Sequence, residues 1–509
     1  MSCLLSCLGK IFPRQKYGQI LWIRSNDLEN IRDFLALLKK HGDLAVIDAE
    51  VSAELEITEI TERTIRSKGP ALLFKNVSGS NIPVAINLFG SHQRMAWALG
   101  VDDVEEISER VSKILKIPQN PPGGIMDKLN TLGDLAGIAK SQPKIVKSAP
   151  CQEIVSIGED VNLNDLPILK CWPQDAGKFI TLPLVISKDP RTGRRNVGTY
   201  RMQVFDERTV GMHWQTHKVG AKHFREGERR KDEKLEVAVA LGADPTTMWT
   251  GSMPLPPDMD EFAVSGVIRQ KPVKLVKAKT VDLEVPAEAE IIIEGFVVPG
   301  EYQTEGPFGD HTGFYSSADQ YPVMHVTAIT RRSDAIYPST VVGRPPMEDF
   351  YMGKATERIM LPALKMVIPE IIDLNMPAEG IFHNLLIVSI RKEYPGHARK
   401  VMHALWGLGL LMLAKVIIVV DHDVDVQNPS EVAWRVAGNL NPESDVIFTE
   451  GPLDDLDYSS PTIKYGSKMG IDATSKSQLD GFPREWPEEI VMTQEIVDRV
   501  NNRWQEFNL

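Results

Sequence analysis

Two carboxylates in a glycine- and proline-rich stretch are the residues whose types and spacing most clearly suit chemistry. Glu305 and Asp310 lie five residues apart, and Gly306, Pro307 and Gly309 separate them. Because glycine and proline interrupt helices and ladder strands, we expect a rigid loop here, after a strand that ends near residue 298. Two acids at fixed positions suit general acid/base catalysis. The same pattern is also typical of a solvated turn, and the spacing alone leaves both interpretations open.

Histidine and aspartate clusters raise the question of a metal ion. His213 and His217 are four residues apart, which on a helix would place both on one face and could bind zinc. Their surroundings have the pattern of a strand and a turn, which disfavours a two-histidine zinc site. Asp421, Asp423 and Asp425 form an acidic tip after a predicted buried strand. Such a tip could bind a metal ion, although a solvated turn with a helix cap is the more common arrangement.

Composition limits the class of protein. The chain has 509 residues, 42% of them hydrophobic and 25% charged, which is ordinary for a globular protein of two or three domains. The formal net charge of -12, without a basic block to offset it, argues against a nucleic-acid binder. No Walker or Rossmann glycine pattern and no run of 18 apolar residues occurs. The cysteines (Cys3, Cys7, Cys151 and Cys171) lack metal-ligand spacing beyond the weak Cys3/Cys7 pair, and they fit a reduced, cytoplasmic setting.

The elements predict a fold class of α/β plus β-barrel. We expect a disordered extension without function over 1–26 and an N-terminal α/β domain over 27–125, whose first helix is capped at Asn26-Asp27 and stops at Gly42. Its other elements are a helix over 54–67, strands over 71–74 and 83–88, and helices over 91–98 and 102–115. Turns at Pro118–Pro122 would end this domain.

The central region, 126–335, has strands at short intervals, a hairpin turn at Asp189–Gly193 and a single predicted helix over 258–268, which together indicate a barrel. The C-terminal region, 336–480, reverts to α/β, with strands over 382–390 and 416–420 and helices over 396–413 and 430–440. A final amphipathic helix lies within 481–509, and we expect it to pack on a partner subunit.

Nine short motifs give the chain a resemblance to a known family. They are LEITEI (55–60), GPALLF (69–74), NLFG (87–90), CWP (171–173), NVGTYR (196–201), LGADP (241–245), EGPFGDHTG (305–313), GRPP (343–346) and GSKMG (466–470). In this order they resemble the UbiD family of reversible aromatic and α,β-unsaturated acid decarboxylases, which use prenylated FMN. The likeness runs from about residue 28 to 476. The branch that looks most similar is the 4-hydroxy-3-polyprenylbenzoate decarboxylases of quinone biosynthesis.

The resemblance assigns roles to single residues. Arg201, Glu305 and Asp310 match the family's catalytic acid–arginine–acid network. Asn196, His217 and Glu261 match the positions around a divalent metal, Mn²⁺ or Mg²⁺, that ties the flavin phosphate to the protein, and K⁺ is a further expected ion. The other matches to cofactor-contacting positions are Thr199, Tyr200, Arg201, His213, Trp214, Gln215, Lys218, Val219 and Lys415. Val219 stands where a glycine is expected, which weakens the assignment of that contact.

Physical chemistry agrees with these roles. Loss of CO₂ from an aromatic acid leaves electron density on a ring carbon that holds it poorly, so an electron sink is needed. Arg201 can orient the substrate carboxylate and keep Glu305 ionised through a charge-assisted pair. Asp310 would then protonate the ring carbon. Since a proton donor must be protonated at neutral pH, we predict that an apolar site raises the pKa of Asp310.

The resemblance therefore implies a carboxy-lyase, a prenylated-FMN flavoprotein of ubiquinone biosynthesis. It also implies a split form of the central barrel that binds the flavin, and a C-terminal α/β domain that builds a homodimer or homohexamer. A separate flavin prenyltransferase would supply the cofactor. The expected location is cytoplasmic, at most peripheral at the inner membrane surface, and no nucleic-acid partner is expected. Two alternatives stay open: a decarboxylase or carboxylase of another aromatic or α,β-unsaturated acid, and a catalytically silent flavin-binding assembly subunit.

Overall fold

The computed structural model describes residues 28–116, 137–256 and 259–507. The chain divides into two compact units, Met1–Ile359 and Met360–Leu509. The predicted extension over 1–26 and the predicted boundary at Pro118–Pro122 lie outside the described residues. The finer division into an N-terminal domain and a barrel domain stays a prediction.

The first unit contains most of the strands. Its helices are α1 (Ile31–Lys40), α2 (Glu56–Arg66), α3 (His92–Ala98), α4 (Glu105–Lys116), α5 (Val219–Arg230), α6 (Pro245–Thr250) and α7 (Glu261–Arg269). Its strands are β1 (Leu44–Val51), β2 (Ala71–Val77), β3 (Val84–Ile86), β4 (Lys144–Val146), β5 (Ile154–Ile157), β6 (Phe179–Ile180), β7 (Leu184–Lys188), β8 (Arg195–Gly198), β9 (Met202–Val204), β10 (Thr209–Met212), β11 (Leu235–Leu241), β12 (Lys274–Lys277), β13 (Glu284–Pro286), β14 (Ile291–Glu305), β15 (Asp319–Arg331) and β16 (Tyr337–Pro338).

The N-terminal elements are α/β, as predicted. The order β1-β2-β3-β16 makes a mixed sheet in which β1 and β2 run parallel. The first helix begins later than predicted: Asn30 is its cap and accepts hydrogen bonds from the N–H groups of Arg32 and Asp33. The predicted cap at Asn26-Asp27 falls outside the described residues. Strand β1 was not predicted from the sequence, because its apolar run over residues 44–47 is followed by three exposed residues, Asp48, Ala49 and Glu50.

A large antiparallel sheet forms the centre of the first unit. Its strands follow the order β6-β9-β10-β15-β14-β11-β7-β8, and β5 pairs with β15 off this path. Within the described part of the chain no pairing joins β6 to β8, so the sheet is open, and a split barrel stays a prediction. The predicted hairpin between β7 and β8 is confirmed, because Ser187 pairs with Asn196 and Gly193 adopts a positive φ in the turn.

The expectation of a single helix in the central region is wrong. Helices α5 and α6 also occur there, and α7 spans Glu261–Arg269. Gly220 and Gly227 lower the helix propensity of α5, which hid it from the sequence prediction. Gly220 is needed for packing, because a Cβ at this position would lie 2.7 Å from Trp214 Nε1.

The chain enters the second unit through α8 (Glu348–Val367). That unit contains β17 (Ile371–Asn375), β18 (Leu385–Ile390), α9 (His397–Trp406), β19 (Val416–Asp421), α10 (Pro429–Asn439), α11 (Pro442–Asp445), β20 (Val446–Pro452), β21 (Tyr465–Asp472) and α12 (Gln494–Arg503).

The sheet of the second unit has the order β17-β18-β19-β21-β20, with parallel pairs at its centre. The predicted helix over 396–413 is too long: α9 ends at Trp406, where Gly407 caps it, and a 3-10 turn follows. Helix α12 has no buried residue, and its packing on a partner subunit stays a prediction. In the described residues, no helix has both the length and the apolar character needed to cross a membrane.

Candidate active site

Four neighbouring strands bring the predicted catalytic residues together. Strands β9, β10, β15 and β14 are adjacent in the large sheet. Arg201 immediately precedes β9, His213 immediately follows β10, and Glu305 is the last residue of β14. Asp310 lies in the loop from β14 to β15. Because these positions meet at one end of adjacent strands, residues more than 100 positions apart come into direct contact.

Arg201 is the centre of this cluster. Its Nε donates to Glu305 Oε1 at 2.8 Å and its Nη2 to Glu305 Oε2 at 3.1 Å, which makes a bidentate pair. Its Nη1 donates to Asp310 Oδ2, and Nη2 also donates to Ser316 Oγ at 3.1 Å. The guanidinium lies 4.6 Å from the centroid of the Phe308 ring. The predicted association of Arg201 with both acids is therefore present in the structure.

The loop that carries Asp310 is held by hydrogen bonds, as a rigid loop requires. The N–H of Gly306 donates to Gln203 Oε1 at 2.7 Å, and the N–H of Gly309 donates to Asp175 Oδ1 at 2.7 Å. The N–H of Asp310 itself donates to the carbonyl of Phe314. Glycine is required at 309, since a Cβ there would lie 2.2 Å from Trp172 Cδ1. This argues against the solvated-turn interpretation.

Glu305 is held as an anion. Its side chain is fully buried, and burial alone would raise its pKa. The hydrogen bond from His213 and the charge of Arg201 outweigh burial and lower the pKa of Glu305 to about 2. His213 Nδ1 lies 3.1 Å from Glu305 Oε2. Burial and the Arg201 charge lower the pKa of His213, so this imidazole is neutral and donates from Nδ1 to the carboxylate.

The prediction that an apolar site raises the pKa of Asp310 is wrong in this arrangement. Burial does raise it, but the Arg201 charge and the hydrogen bonds from His311 outweigh burial and lower the pKa well below its usual value. His311 contributes both its N–H, at 2.7 Å, and its Nδ1, at 2.8 Å, to Asp310 Oδ1. Asp310 is therefore ionised at neutral pH while it contacts Arg201.

A second cluster lies around Tyr200, close to the predicted metal-binding residues. The Tyr200 hydroxyl accepts from Asn196 Nδ2 at 3.4 Å and from the N–H of Gly220 at 3.3 Å. Glu261, at the start of α7, accepts from the N–H of Val197 at 2.9 Å. Burial raises the pKa of Glu261 to about 7. A cation beside this carboxylate would favour its ionised form.

Three buried polar atoms in the predicted cofactor segments have no hydrogen-bond partner among the described residues. They are Thr199 Oγ1, His213 Nε2 and Trp214 Nε1. Buried polar groups in proteins are nearly always paired, so these atoms are suited to a bound polar group. Together with the buried carboxylate of Glu261, they fit a phosphate-bearing flavin and a cation.

The remaining predicted site residues lie in different places. Gln215 is partly buried and His217 is exposed, both in the turn between β10 and α5. Lys218 is the N-cap of α5 and Val219 its first residue. Lys415 belongs to the second unit, where its Nζ lies 2.8 Å from Asp457 Oδ2. Since His213 is buried against Glu305 while His217 is exposed, the two histidines do not form a zinc site in this structure.

The other metal candidates find no support. Among the described residues, no group of three or more His, Cys, Asp or Glu side chains could hold a metal ion. The set Asn196, His217 and Glu261 contains only two such residues, so it stays a prediction. In the acidic tip, Asp421 Oδ2 accepts from the N–H and hydroxyl of Ser475, as a turn would.

Several residues of the site gave no signal in the sequence. Ser316 and Phe308 contact Arg201, and Asp175 holds the loop through Gly309. Ser316 reaches Arg201 because the loop folds back on itself, with the N–H of Ser316 donating to the carbonyl of Phe308. Composition does not show how many residues separate Phe308 from the point where the loop folds back to it. His311 adjoins Asp310 in the sequence, but its position alone does not predict the two hydrogen bonds that it makes to the Asp310 carboxylate.

Three segments of the chain match domain families. Residues 144–345 match UbiD, the 3-octaprenyl-4-hydroxybenzoate carboxy-lyase Rift-related domain. Residues 350–473 match the 3-octaprenyl-4-hydroxybenzoate carboxy-lyase C-terminal domain, and residues 35–112 match the corresponding N-terminal domain.

One relative and several solved structures are similar to this chain over most of its length. An uncharacterized protein of Archaeoglobus fulgidus is 49% identical over 480 residues, 94% of this chain and 98% of that protein. The UbiD-class enzyme HmfF from Pelotomaculum thermopropionicum, in complex with FMN, is 30% identical, with a TM-score of 0.76 and coverage of 91% of this chain and 97% of that one. An evolved dimeric form of HmfF in complex with prFMN is 28% identical, with a TM-score of 0.75 and coverage of 92% and 98%. Vanillic acid decarboxylase of Sedimentibacter hydroxybenzoicus, in closed form, is 28% identical, with a TM-score of 0.81 and coverage of 96% and 99%.

Proposed function

The chain belongs to the UbiD family, and we propose that it is a non-oxidative decarboxylase of an aromatic acid that uses prenylated FMN. The observation that carries this proposal is the buried contact of Arg201 with both Glu305 and Asp310. A structural ion pair would need only one acid. A pair of acids that share one arginine suits a reaction in which a carboxylate must be oriented and a proton delivered.

We assign a separate role to each residue of the Arg201 cluster. Arg201 binds and orients the substrate carboxylate, and Glu305 stays ionised and holds Arg201 in place. Asp310 is the acid that we assign to protonate the ring carbon once CO₂ has left. When bound, prenylated FMN supplies the electron sink for the electron pair of the broken carbon–carbon bond.

We assign the cofactor and metal contacts to the Tyr200 cluster and its neighbours. Asn196, His217 and Glu261 would hold Mn²⁺ or Mg²⁺, and K⁺ would be a further ion. The buried atoms of Thr199, His213 and Trp214 support a polar ligand here. The other residues of the first unit that we propose to contact the cofactor are Tyr200, Arg201, Gln215, Lys218 and Val219.

The preferred substrate is a 4-hydroxy-3-polyprenylbenzoate in quinone biosynthesis. The descriptions of the matched domain families, which name a 3-octaprenyl-4-hydroxybenzoate carboxy-lyase, support this choice. A second candidate is a smaller phenolic acid such as vanillate, because the vanillic acid decarboxylase covers nearly the whole fold of this chain. We further propose a cytoplasmic homodimer or homohexamer, supplied by a flavin prenyltransferase and at most peripheral at a membrane.

The test is to co-produce the chain with a flavin prenyltransferase and to identify the bound cofactor by absorbance and mass. The same sample is assayed for CO₂ release from a panel of 4-hydroxybenzoates with and without a 3-prenyl group, vanillate and cinnamates. Turnover of the prenylated acids supports the preferred substrate, and turnover of vanillate alone supports the second candidate. A bound prenylated flavin without turnover of any acid would favour an assembly role, and absence of flavin would refute the proposal.

A further inference from the structure

A polar cavity of about 370 Å³ lies beside α5, outside the candidate active site. Side chains of α5 and of the turn between β7 and β8 line it. None of the lining residues is among those that we assign to the substrate, the flavin or the metal ion. The volume falls within the range of about 300–1,000 Å³ that is usual for small-ligand sites in proteins. The cavity is therefore large enough to hold a small molecule.

The lining of this cavity is positively charged. It contains four cationic side chains and two carboxylates, which are Arg191, Lys222, Arg225 and Arg229, and Asp189 and Glu226. The remaining lining residue, His223, is neutral at pH 7 because burial lowers its pKa to about 4. The lining thus has a net charge of about +2, whereas the formal net charge of the chain is -12. A concave surface that carries positive charge attracts anions.

Most of these cations have no partner within the protein. Among the described residues, the side chains of Arg191, Lys222 and Arg225 make no hydrogen bond and no ion pair. The fourth cation, Arg229, lies 3.8 Å from Glu226 Oε2. The other carboxylate, Asp189, accepts from the N–H of Arg191 at 2.8 Å and so is used within its own turn. Three sets of cationic donors at one cavity are therefore available to an anion.

A buried neutral donor also lines the cavity. His223 is only 5% exposed, and its Nδ1 lies 3.0 Å from Ser187 Oγ. The Ser187 hydroxyl has no other partner in the described part of the chain, so it donates its proton to Nδ1. The ring proton is then on Nε2, for which the same part of the chain supplies no partner. Burial and the bond to Ser187 hold this imidazole in place, so its Nε2 is a fixed donor for a ligand.

We propose that this cavity binds a phosphate-bearing anion, either inorganic phosphate or a small phosphate ester. A phosphate group has several terminal oxygens and accepts from an arginine fork, a lysine and a neutral imidazole at the same time. A carboxylate has two oxygens and would leave more of these donors unused. The site takes part in no step of the proposed decarboxylation, and the inference goes beyond that function.

The test is calorimetric titration of the full-length protein, purified with its bound flavin so that the flavin phosphate occupies its own site. The probes are inorganic phosphate, glycerol 3-phosphate and succinate, compared at one ionic strength. We expect one phosphate or one ester to bind per chain, and succinate to bind more weakly. Lys222→Gln and Arg225→Gln should each weaken binding of the phosphate probes by roughly tenfold or more, because each removes a charged hydrogen-bond donor.

Arg230→Gln is the matched control. Arg230 is also on α5, next to Arg229, but it does not line the cavity. This variant therefore loses the same charge without losing a contact, and its affinity should stay near that of the wild type. None of the three substituted side chains is buried, so all three variants should fold and melt like the wild type.

The outcomes distinguish a phosphate site from a general effect of charge. Absence of saturable binding of both phosphate probes overturns the proposal, as does unchanged affinity in Lys222→Gln and Arg225→Gln. An equal loss in Arg230→Gln, or equal affinity for succinate, overturns it as well. Tighter binding of glycerol 3-phosphate than of inorganic phosphate identifies an ester as the ligand, and equal binding identifies free phosphate. If the purified protein contains no flavin, the proposed function fails, whereas the same variants still locate the phosphate site.

Discussion

Replacing Arg201 by methionine should destabilise the protein strongly, and more so at alkaline pH. The change leaves the buried carboxylates of Glu305 and Asp310 without their counter-ion. A pKa of Glu305 lowered from 4.5 to about 2 corresponds to about 3 kcal/mol in favour of its ionised form. Breaking a buried ion pair by removing one partner costs about 3–5 kcal/mol, which agrees. For a unit of about 360 residues that free energy lowers the melting temperature by roughly 4–7 °C.

The sign of the pH dependence follows from the direction of the pKa shifts. In the wild type both acids have lowered pKa values, so their stabilising effect is complete above about pH 4.5 and constant from pH 5.5 to 8. In Arg201→Met the hydrogen bonds from His213 and His311 remain, but without the guanidinium charge we expect burial to prevail and to raise the pKa values of both acids above those of the unfolded chain. Stability of the variant therefore falls as pH rises through this range. The deficit should be largest at pH 8 and smaller at pH 5.5, where the acids bind protons.

Scanning calorimetry at one scan rate, at pH 5.5 and pH 8, measures the deficit. The matched control is the triple variant Arg201→Met, Glu305→Gln, Asp310→Asn, which removes the unpaired charges at nearly constant volume and should recover most of the lost melting temperature at pH 8. An equal deficit at both pH values, or no recovery in the triple variant, would refute the electrostatic explanation and leave lost packing on Phe308 as the cause.

The other predictions concern the cofactor segments and the thiols. Trp214→Phe removes a buried N–H that has no partner in the described residues, so flavin affinity should fall roughly 3- to 10-fold in a fluorescence titration, and unchanged affinity would exclude that contact. Glu261→Gln removes a buried carboxylate charge from the manganese site that we propose, so the purified variant should contain much less manganese than the wild type by elemental analysis, whereas equal content would show that the ion binds elsewhere. Cys151 and Cys171 should resist iodoacetamide at pH 8 until the protein unfolds, because burial raises the pKa of both thiols to about 12. Peptide mass spectrometry reads out the labelling, and rapid labelling of the native protein would contradict the burial of these thiols.

The sequence predicts those parts of the fold that depend on local patterns. The β7–β8 hairpin follows from turn chemistry at Asp189–Gly193, and the cap of α3 follows from Ser91, whose side chain accepts from the N–H of Arg94. Helix α5 could not be predicted, because Gly220, which packs closely against Trp214, and Gly227 both lower its helix propensity. Contacts with residues outside α5, more than the helix propensity of its own residues, stabilise this segment as a helix.

The candidate site shows the same limit. The motifs identify Arg201, Glu305 and Asp310, yet only the pairing of distant strands shows that one guanidinium contacts both acids. The predicted rise in the pKa of Asp310 followed from burial alone, whereas the charge of Arg201, together with the hydrogen bonds from His311, acts in the opposite direction and outweighs burial. The residues around position 310 do not reveal that a positive charge is close, since Arg201 is 109 positions away in the sequence.

Two acids that look alike in sequence become chemically different through their partners. Glu305 receives bonds from both sides, from Arg201 and His213, and a paired strand end fixes its backbone. Asp310 shares one bond with Arg201 and otherwise depends on its own loop. A group that must gain and lose a proton in each turnover needs an ionised and a protonated state of comparable free energy, which a strongly held carboxylate lacks. Contact with Arg201 lowers the pKa of Asp310 as well as that of Glu305, so Asp310 suits the proton donor only when that contact is broken, whereas Glu305 suits the permanent counter-ion of Arg201.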